Sequence, residues 1–142
     1  MGYPIAIYGA PMDLGQKRRG VDMGPSAIRY AKLRPRLERL GLTVTDYGNV
    51  PVPGMEQVES QDTDPKAHNA VAIASVAAQI RQSVISSIER NETAIILGGD
   101  HSVAMGTVSA VLTRPGREGV LWIDAHGDFN TPETTPSGNV QG

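Results

Sequence analysis

The chain has 142 residues, of which 39% are hydrophobic and 20% charged, which is ordinary for one globular domain. Its formal net charge of −2 gives no electrostatic reason to expect nucleic acid or an anionic membrane as a partner. The chain contains no cysteine, which excludes disulfides, zinc–thiolate sites and iron–sulfur clusters from it. This composition fits a reducing cytosol, and we expect a cytoplasmic protein.

The N-terminal residues lack a basic segment followed by a long apolar run, so no signal peptide is predicted. No apolar run approaches the roughly 20 residues of a membrane span. We therefore expect no membrane association.

The first part of the chain alternates between strand and helix patterns. A short apolar strand is predicted over residues 4–8, and a loop rich in glycine and charge follows it. Pro25 suits the first turn of a helix, which we expect to reach Gly41 with an interruption near Pro35. Residues 42–47 alternate in polarity and predict a second strand.

The central part begins with residues 48–64, whose proline, glycine and acidic residues predict a surface loop. Asp64 is a candidate N-cap and Pro65 a candidate first residue of the next helix. Apolar residues then recur at three- and four-residue spacing down to Arg90, which is the clearest helical pattern in the chain. A third buried strand is predicted over residues 94–97.

A helix over residues 102–113 leads to the last predicted element, a strand at residues 120–123. Its four consecutive apolar residues predict burial on both faces. The order β-α-β-α-β-α-β indicates an α/β fold of three layers, α-β-α, with a mostly parallel sheet. In such sheets ligands gather beyond the carboxyl ends of the strands.

Polar residues follow two of the predicted strands at their carboxyl ends. His101 lies after the third strand, and Asp124, His126 and Asp128 come directly after the last one. Since side chains of an extended segment repeat every second residue, these last three are expected to point the same way. Such a cluster is costly to bury unless a cation lies among the acids. The alternative is a polar loop whose acids cap a following helix.

Carboxylate and imidazole ligands without thiolate suit Mn²⁺, with Zn²⁺, Fe²⁺ or Co²⁺ as alternatives. One carboxylate between two histidines would allow a bridged pair of ions, which activates a bound water near neutral pH. Gly98 and Gly99 permit a tight turn, but neither a dinucleotide fingerprint nor a P-loop is present. The residues by themselves predict a metallohydrolase.

The motifs of the chain, in their order, resemble those of the arginase branch of the ureohydrolase superfamily. They are Gly9-Ala10-Pro11, Gln16, residues 19–29, Gly98-Gly99-Asp100-His101-Ser102, Asp124-Ala125-His126-Gly127-Asp128, Asn130-Thr131-Pro132 and Ser137-Gly138-Asn139. The resemblance runs from the first strand to the last residue. It implies that residues 1–142 are the N-terminal portion of a single arginase-like α/β domain, incomplete at its C-terminus.

The resemblance implies hydrolysis of L-arginine to L-ornithine and urea by a hydroxide that bridges two Mn²⁺ ions. Carried over by position, His101 and Asp128 would bind one ion and His126 the other, with Asp124 bridging the pair. These assignments place the chain in arginine metabolism and the urea cycle.

Three further positions match the residues that hold the substrate's α-carboxylate in arginases: Asn130, Thr135 and Ser137. Such neutral donors argue against an agmatinase, whose substrate has no carboxylate. The alternative for residues 131–138 is a surface loop rich in proline, threonine and glycine.

The chain departs from the family pattern at Gln141, where arginases carry a histidine assigned to proton transfer or leaving-group assistance. Glutamine does not titrate near pH 7, and loss of a proton-transfer group costs about 10²–10⁴-fold in rate. This position predicts a slow arginase, a shifted substrate or a deliberate substitution.

The chain also ends at Gly142, before the Asp-x-Asp pair that completes the metal ligands in the family and before the acid that holds the guanidinium group. Four side chains leave two Mn²⁺ ions short of the roughly six ligands that each prefers. We expect poor stability unless another copy or a complementing fragment covers the sheet.

The leading prediction is an arginase-type manganese hydrolase that forms a homo-oligomer, a trimer or hexamer. One alternative is a catalytically inactive fragment that acts as an assembly or regulatory module. The other is a different ureohydrolase, such as an agmatinase or a guanidino-acid hydrolase.

Overall fold

A computed structural model describes residues 4–58, 64–116 and 119–140 of the chain. Within these ranges three strands form one sheet: β1 (Pro4–Ala10), β2 (Thr43–Asn49) and β3 (Thr93–Gly98). Their order is β2-β1-β3, and β1 is parallel to both neighbours. Ile7 lies opposite Asp46 on one side and Ile95 on the other. The predicted parallel sheet is confirmed.

Five helices connect and cover the strands in the described part of the chain. They are α1 (Gly24–Tyr30), α2 (Leu33–Arg39), α3 (Met55–Val58), α4 (Ala70–Glu89) and α5 (Val103–Val111), with a 3-10 turn at Val21–Met23 before α1.

Apolar side chains pack on both faces of the sheet because alternate residues of β1 point to opposite sides. On one face Ile5 and Ile7 contact Val44, Leu97 and the α2 residues Leu33 and Leu37. On the other face Ala10 joins a larger core in which α4 and α5 pack together; its buried α4 residues are Ile73, Val76, Ile80 and Val84. The predicted three-layer α-β-α arrangement is therefore confirmed.

The predicted first helix is divided at Lys32 rather than near Pro35. Lys32 has a φ of 62°, a left-handed conformation that separates α1 from α2. Pro35 lies in the first turn of α2, where a missing N–H does not remove an intrahelical hydrogen bond. The proline therefore supports the start of a helix instead of interrupting one.

Helix α4 begins at Ala70 and not at Pro65. Asp64 Oδ1 accepts a hydrogen bond from the backbone N–H of Lys66 at 2.8 Å, which closes a local turn. The residue before the helix is Asn69, with a φ of 57°. Asp64 therefore stabilises a turn that precedes α4 and does not act as the predicted N-cap of the helix. The region predicted as a loop over 48–64 also contains the short helix α3.

At 20 residues with a mean hydropathy of 1.3, α4 is long and apolar enough to cross a membrane by length and composition. The expectation that no segment approaches this length is therefore too strict. A core helix meets the same criteria, and the buried residues of α4 pack into the core with α5. Length and composition alone do not indicate a membrane span here.

The segment after α5 does not form the predicted strand. Residues 119–124 have no regular secondary structure, and the side chains of Leu121 and Ile123 are 86% and 88% exposed. A strand buried on both faces of a parallel sheet needs neighbouring strands and covering helices. The sheet in the described residues consists of β1, β2 and β3, and neither of its open edges pairs with this segment. The prediction of a buried strand at residues 120–123 is wrong for this structure.

Helices α4 and α5 approach closely at Gly106. A Cβ added there would lie 2.6 Å from the Ala77 carbonyl oxygen and 2.7 Å from Ile80 Cβ, and neither atom can rotate away. Overpacking costs about 1–3 kcal/mol, while alanine recovers about 1 kcal/mol of helix propensity. Gly106→Ala is therefore expected to lower the free energy of unfolding by up to about 2 kcal/mol in urea titrations. Gly119→Ala, with nothing within 4 Å, is the control, and equal losses would contradict the packing argument.

Arg29 of α1 binds Asp46 of β2 through two hydrogen bonds. Arg29 Nε donates to Asp46 Oδ2 at 2.7 Å and Nη2 donates to Oδ1 at 2.9 Å. These bonds lower the pKa of the Asp46 carboxyl below its ordinary value, against the opposing effect of burial. A folded-state pKa below the unfolded one stabilises the fold above the unfolded pKa of about 3.9. This stabilisation is lost as the pH falls through the folded-state pKa.

Asp46→Asn is expected to lower the free energy of unfolding by about 1–2 kcal/mol at pH 7, because it removes a charge-assisted pair. The difference from the wild-type chain should begin to shrink below about pH 3.9, where Asp46 of the unfolded chain takes up a proton, and should continue to shrink as the pH falls through the lower folded-state pKa. Urea midpoints measured between pH 3 and pH 7 test this, with Asp22→Asn as a control of equal charge change. A difference that stays constant with pH would contradict the assignment.

Candidate metal centre

His101 lies in the turn between the carboxyl end of β3 and the start of α5. The chain comes very close to another loop at this turn, since a Cβ on Gly99 would lie 1.9 Å from the Met12 carbonyl oxygen. The backbone N–H groups of Gly99 and Asp100 donate to Ala10 and Met12 carbonyls at 3.1 and 2.7 Å. A glycine is required here because of this close approach.

Asp100 joins the same two segments through its side chain. Its Oδ2 accepts a hydrogen bond from the Gly15 N–H at 2.7 Å, and its Oδ1 accepts one from the Ser102 N–H at 2.9 Å. The residue is 6% exposed, so both bonds form away from water. No separate role for Asp100 follows from the sequence, although an acid directly before a candidate ligand is a usable signal. Through these two hydrogen bonds Asp100 holds the backbone in place on both sides of His101.

His101, Asp124 and Asp128 each offer a ligand atom, and the three atoms lie within 4.8 Å of one another. His101 Nε2 is 3.1 Å from Asp128 Oδ2 and 3.9 Å from Asp124 Oδ2. His101 Nε2 is buried. Although Asp128 Oδ2 lies only 3.1 Å away, Nε2 makes no hydrogen bond of suitable geometry within the described residues. A buried imidazole nitrogen that faces two carboxylates suits a divalent cation, and this donor set suits Mn²⁺.

Trp122 positions two of these side chains. Its indole Nε1–H donates to Asp128 Oδ2 at 3.0 Å, and its ring meets the His101 ring edge-on, at 4.9 Å between centroids and 86° between planes. The sequence pattern places Trp122 only in an apolar strand and predicts no contact for its indole N–H. The position of this indole N–H close to the acidic motif was a signal for a hydrogen bond to one of the acids, because the N–H of a tryptophan usually has a hydrogen-bond acceptor.

His126 does not belong to the three-residue group, and its side chain is 83% exposed. Its Nδ1 lies 3.2 Å from Asp124 Oδ1, and its backbone N–H donates to the same oxygen at 2.8 Å. The chain bends at residues 125–126, and Asp128 has a φ of 51°. The expectation that Asp124, His126 and Asp128 all point the same way is therefore wrong, because it required an extended backbone.

The Asp124 carboxyl has a pKa below its ordinary value. The main cause is the hydrogen bond from the backbone N–H of His126, opposed by burial and supported by the His126 and His101 rings. A carboxylate that stays ionised is the form that binds a cation.

The three residues predicted to hold a substrate carboxylate lie in the segment after Asp128. Asn130 is exposed, whereas Thr135 and Ser137 are half-buried and lie together, with 3.5 Å between their hydroxyl oxygens. Each of these oxygens accepts a backbone N–H, from Gly138 at 3.1 Å and from Asn139 at 3.2 Å, so each hydroxyl can still donate. Gln141 lies outside the described residues.

Comparison with known proteins supports this reading of the motifs. A model of the Arginase family matches residues 3–142. The chain is 48% identical over 139 residues to an arginase of Bacillus caldovelox, an alignment that covers 98% of this chain and 46% of that protein. The chain therefore spans about half the length of the curated relatives that it matches.

Solved structures give the same picture. The structure of the Bacillus caldovelox arginase superposes with a TM-score of 0.90 at 47% identity, over 98% of this chain and 46% of the other. An Entamoeba histolytica arginase in complex with L-ornithine superposes with a TM-score of 0.84 at 30% identity, over 99% of this chain and 48% of the other. The described arrangement of strands and helices is similar to both.

Proposed function

Because this chain belongs to the arginase family, we propose that it contributes to manganese-dependent hydrolysis of L-arginine to L-ornithine and urea. Residues 1–142 would form the N-terminal portion of a single arginase-like α/β domain. The observation that carries the proposal is the convergence of His101 Nε2 with the carboxylates of Asp124 and Asp128.

The two oxygens of Asp124 face different histidines. Oδ2 lies 3.9 Å from His101 Nε2, and Oδ1 lies 3.2 Å from His126 Nδ1. This is the orientation that a bridging carboxylate needs, and it supports Asp124 as the bridge. In this proposal His101 and Asp128 would hold one ion and His126 would hold the other. When bound, two Mn²⁺ ions would supply Lewis acidity and an activated water near neutral pH.

The residues after Asp128 would bind the amino-acid end of the substrate. Asn130, Thr135 and Ser137 offer neutral hydrogen-bond donors, which suit a carboxylate. L-ornithine, which carries such a carboxylate, is bound in the Entamoeba histolytica relative. Gln141 would replace a proton-transfer group, and a turnover slower than that of a histidine-containing enzyme is proposed for this reason.

The experiment that tests the proposal is urea release by the 142-residue chain from L-arginine in the presence of Mn²⁺, beside agmatine and other guanidino compounds. Urea from L-arginine supports the proposal. Release from agmatine alone would contradict the arginase assignment and favour another ureohydrolase.

The exposed side chains of Leu121 and Ile123 favour a second candidate function, an assembly or regulatory module without turnover. Calorimetry with Mn²⁺ separates the two. Two tight sites support the enzyme, whereas one weak site without urea release supports the module. A cytoplasmic location and a trimeric or hexameric assembly stay predictions.

A further inference from the structure

The charges of the chain are distributed unevenly. Residues 29–40 contain five of the 13 Lys and Arg residues and one of the 15 Asp and Glu residues, so this segment carries +4 and the remaining residues carry −6. The segment comprises the end of α1, the link at Lys32, and α2 with the residue that follows it. The formal net charge of −2 therefore conceals a local excess of positive charge at α2.

Three of these cations, Lys32, Arg36 and Arg39, lie along one side of α2, which we call the basic flank. Their spacing of i, i+4 and i+7 places side chains in one stripe along a helix. All three residues are exposed, and none forms an ion pair within the described residues. The basic flank therefore presents its positive charge to solvent.

The other two cations of the segment are paired with acids that lie away from the basic flank. Arg34 Nε lies 2.7 Å from Glu38 Oε1, and Arg29 Nε lies 2.7 Å from Asp46 Oδ2 of β2. With about 3.6 residues per turn, Arg34 and Glu38 project from the side of α2 opposite to the basic flank. The single acid of α2 therefore does not neutralise the basic flank.

Exposed apolar side chains border the basic flank at both ends. Tyr30, the last residue of α1, is 87% exposed, and Leu40, one turn after Arg36, is 76% exposed. The contacts of α2 with the core are made by Leu33 and Leu37 instead. A cationic surface bordered by apolar side chains fits a partner that carries both acidic and apolar residues.

The remainder of the chain discriminates between anionic partners. A nucleic acid or an anionic membrane extends beyond the basic flank and meets the net charge of −6 on the other residues, which opposes its binding. A short peptide contacts only the basic flank and its neighbours, since charges further away than a Debye length of about 8 Å are largely screened. A short acidic peptide segment is therefore the partner that this surface fits best.

We propose that the basic flank, together with Tyr30 and Leu40, binds an acidic, leucine-containing peptide segment of a partner protein. The inference does not depend on the proposed hydrolysis, because the candidate metal centre is formed by other residues. The charged part of the contact consists of exposed ion pairs, so binding is expected to weaken as the salt concentration rises.

The test measures binding of a labelled synthetic peptide, built from repeats of glutamate–glutamate–leucine, to the 142-residue chain by fluorescence anisotropy. A glutamine–glutamine–leucine peptide and the Arg36→Glu variant are each expected to lower the affinity about tenfold, because the first removes the attraction and the second replaces it by repulsion. Lys66→Glu, an equal charge change in the turn before α4, is the control and should leave the affinity nearly unchanged. Thermal melting of both variants shows that each is folded.

Leu40→Ser separates the apolar contact from the charged one. This variant should weaken binding of the acidic peptide by a similar factor at low and high salt, because an apolar contact is not screened. The loss caused by Arg36→Glu should instead shrink as the salt concentration rises. A loss in Leu40→Ser that is confined to low salt would contradict the apolar part of the proposal.

Three results would overturn the proposal as a whole. They are equal weakening by Arg36→Glu and Lys66→Glu, binding of single-stranded RNA or of phosphatidylglycerol vesicles as tight as that of the acidic peptide, and self-association in sedimentation velocity that Arg36→Glu abolishes. The second result would assign the basic flank to an extended polyanion, and the third to another copy of the chain. Peptide binding without urea release would support this inference while the hydrolase proposal fails, and urea release without peptide binding would give the reverse result.

Discussion

Asp124→Asn is expected to lower the affinity of the chain for Mn²⁺ by at least about 100-fold. Replacement of residues that only orient metal ligands costs about 10–100-fold, and a ligand should cost at least as much. An amide is neutral and offers one oxygen, so it cannot face His101 and His126 with two anionic oxygens. Urea release from L-arginine should fall with the metal.

Calorimetric titration with Mn²⁺ alone measures this effect, and Asp22→Asn is the control because it removes the same charge outside the metal group. Both variants should melt at nearly the wild-type temperature, since Asp124 lies in a segment without regular secondary structure. An unchanged Mn²⁺ affinity in Asp124→Asn, with the fold intact, would remove Asp124 from the metal centre and with it the proposed bridge.

Asp100→Asn is expected to destabilise the fold by about 3 kcal/mol. The carboxylate accepts two buried backbone N–H groups, from Gly15 and Ser102, and hydrogen bonds to a charged group contribute about 1.5–3 kcal/mol each. The asparagine oxygen can replace one acceptor, but its NH₂ group then faces the other N–H donor. The loss should lower the melting temperature by roughly 10 °C in a domain of this size.

Thermal melting of Asp100→Asn beside Asp64→Asn tests this argument. Asp64 also accepts a backbone N–H, from Lys66, but it does so on the surface, where water can replace the bond. A similar melting temperature for the two variants would contradict the assigned role of Asp100. A loss of Mn²⁺ affinity in Asp100→Asn at low temperature would show that the turn also positions His101.

Elements whose apolar pattern depends only on residues close together in the chain were predicted correctly. The apolar spacing along α4 and the short apolar runs of β1 and β3 are local properties, and the structure contains all three elements. The two strands lie within two residues of their predicted bounds, whereas α4 begins at Ala70 rather than at Pro65. Helix ends were less predictable, since Lys32 and Asn69 adopt positive φ values at positions that carry no glycine. Such conformations depend on what the neighbouring segments allow.

The candidate site was predicted in its residue types and in part of its geometry. The motifs indicated imidazole and carboxylate ligands, and the structure brings His101, Asp124 and Asp128 together. The contacts of Trp122 and Asp100 were missed, because each joins segments that are distant along the chain or separated by a bend. A contact between such segments has no periodic signal in the sequence from which it could be inferred.

The sequence by itself determined the α/β class, the candidate metal-ligating residue types and the resemblance to arginases, because each follows from residue identity and local spacing. Only the tertiary structure decided that residues 120–123 lie exposed and unpaired, since a strand exists only where another strand accepts its backbone hydrogen bonds. It also decided that the two oxygens of Asp124 face different histidines. That orientation follows from the bend at residues 125–126, because side chains on the two sides of a bend do not alternate as they would along an extended strand.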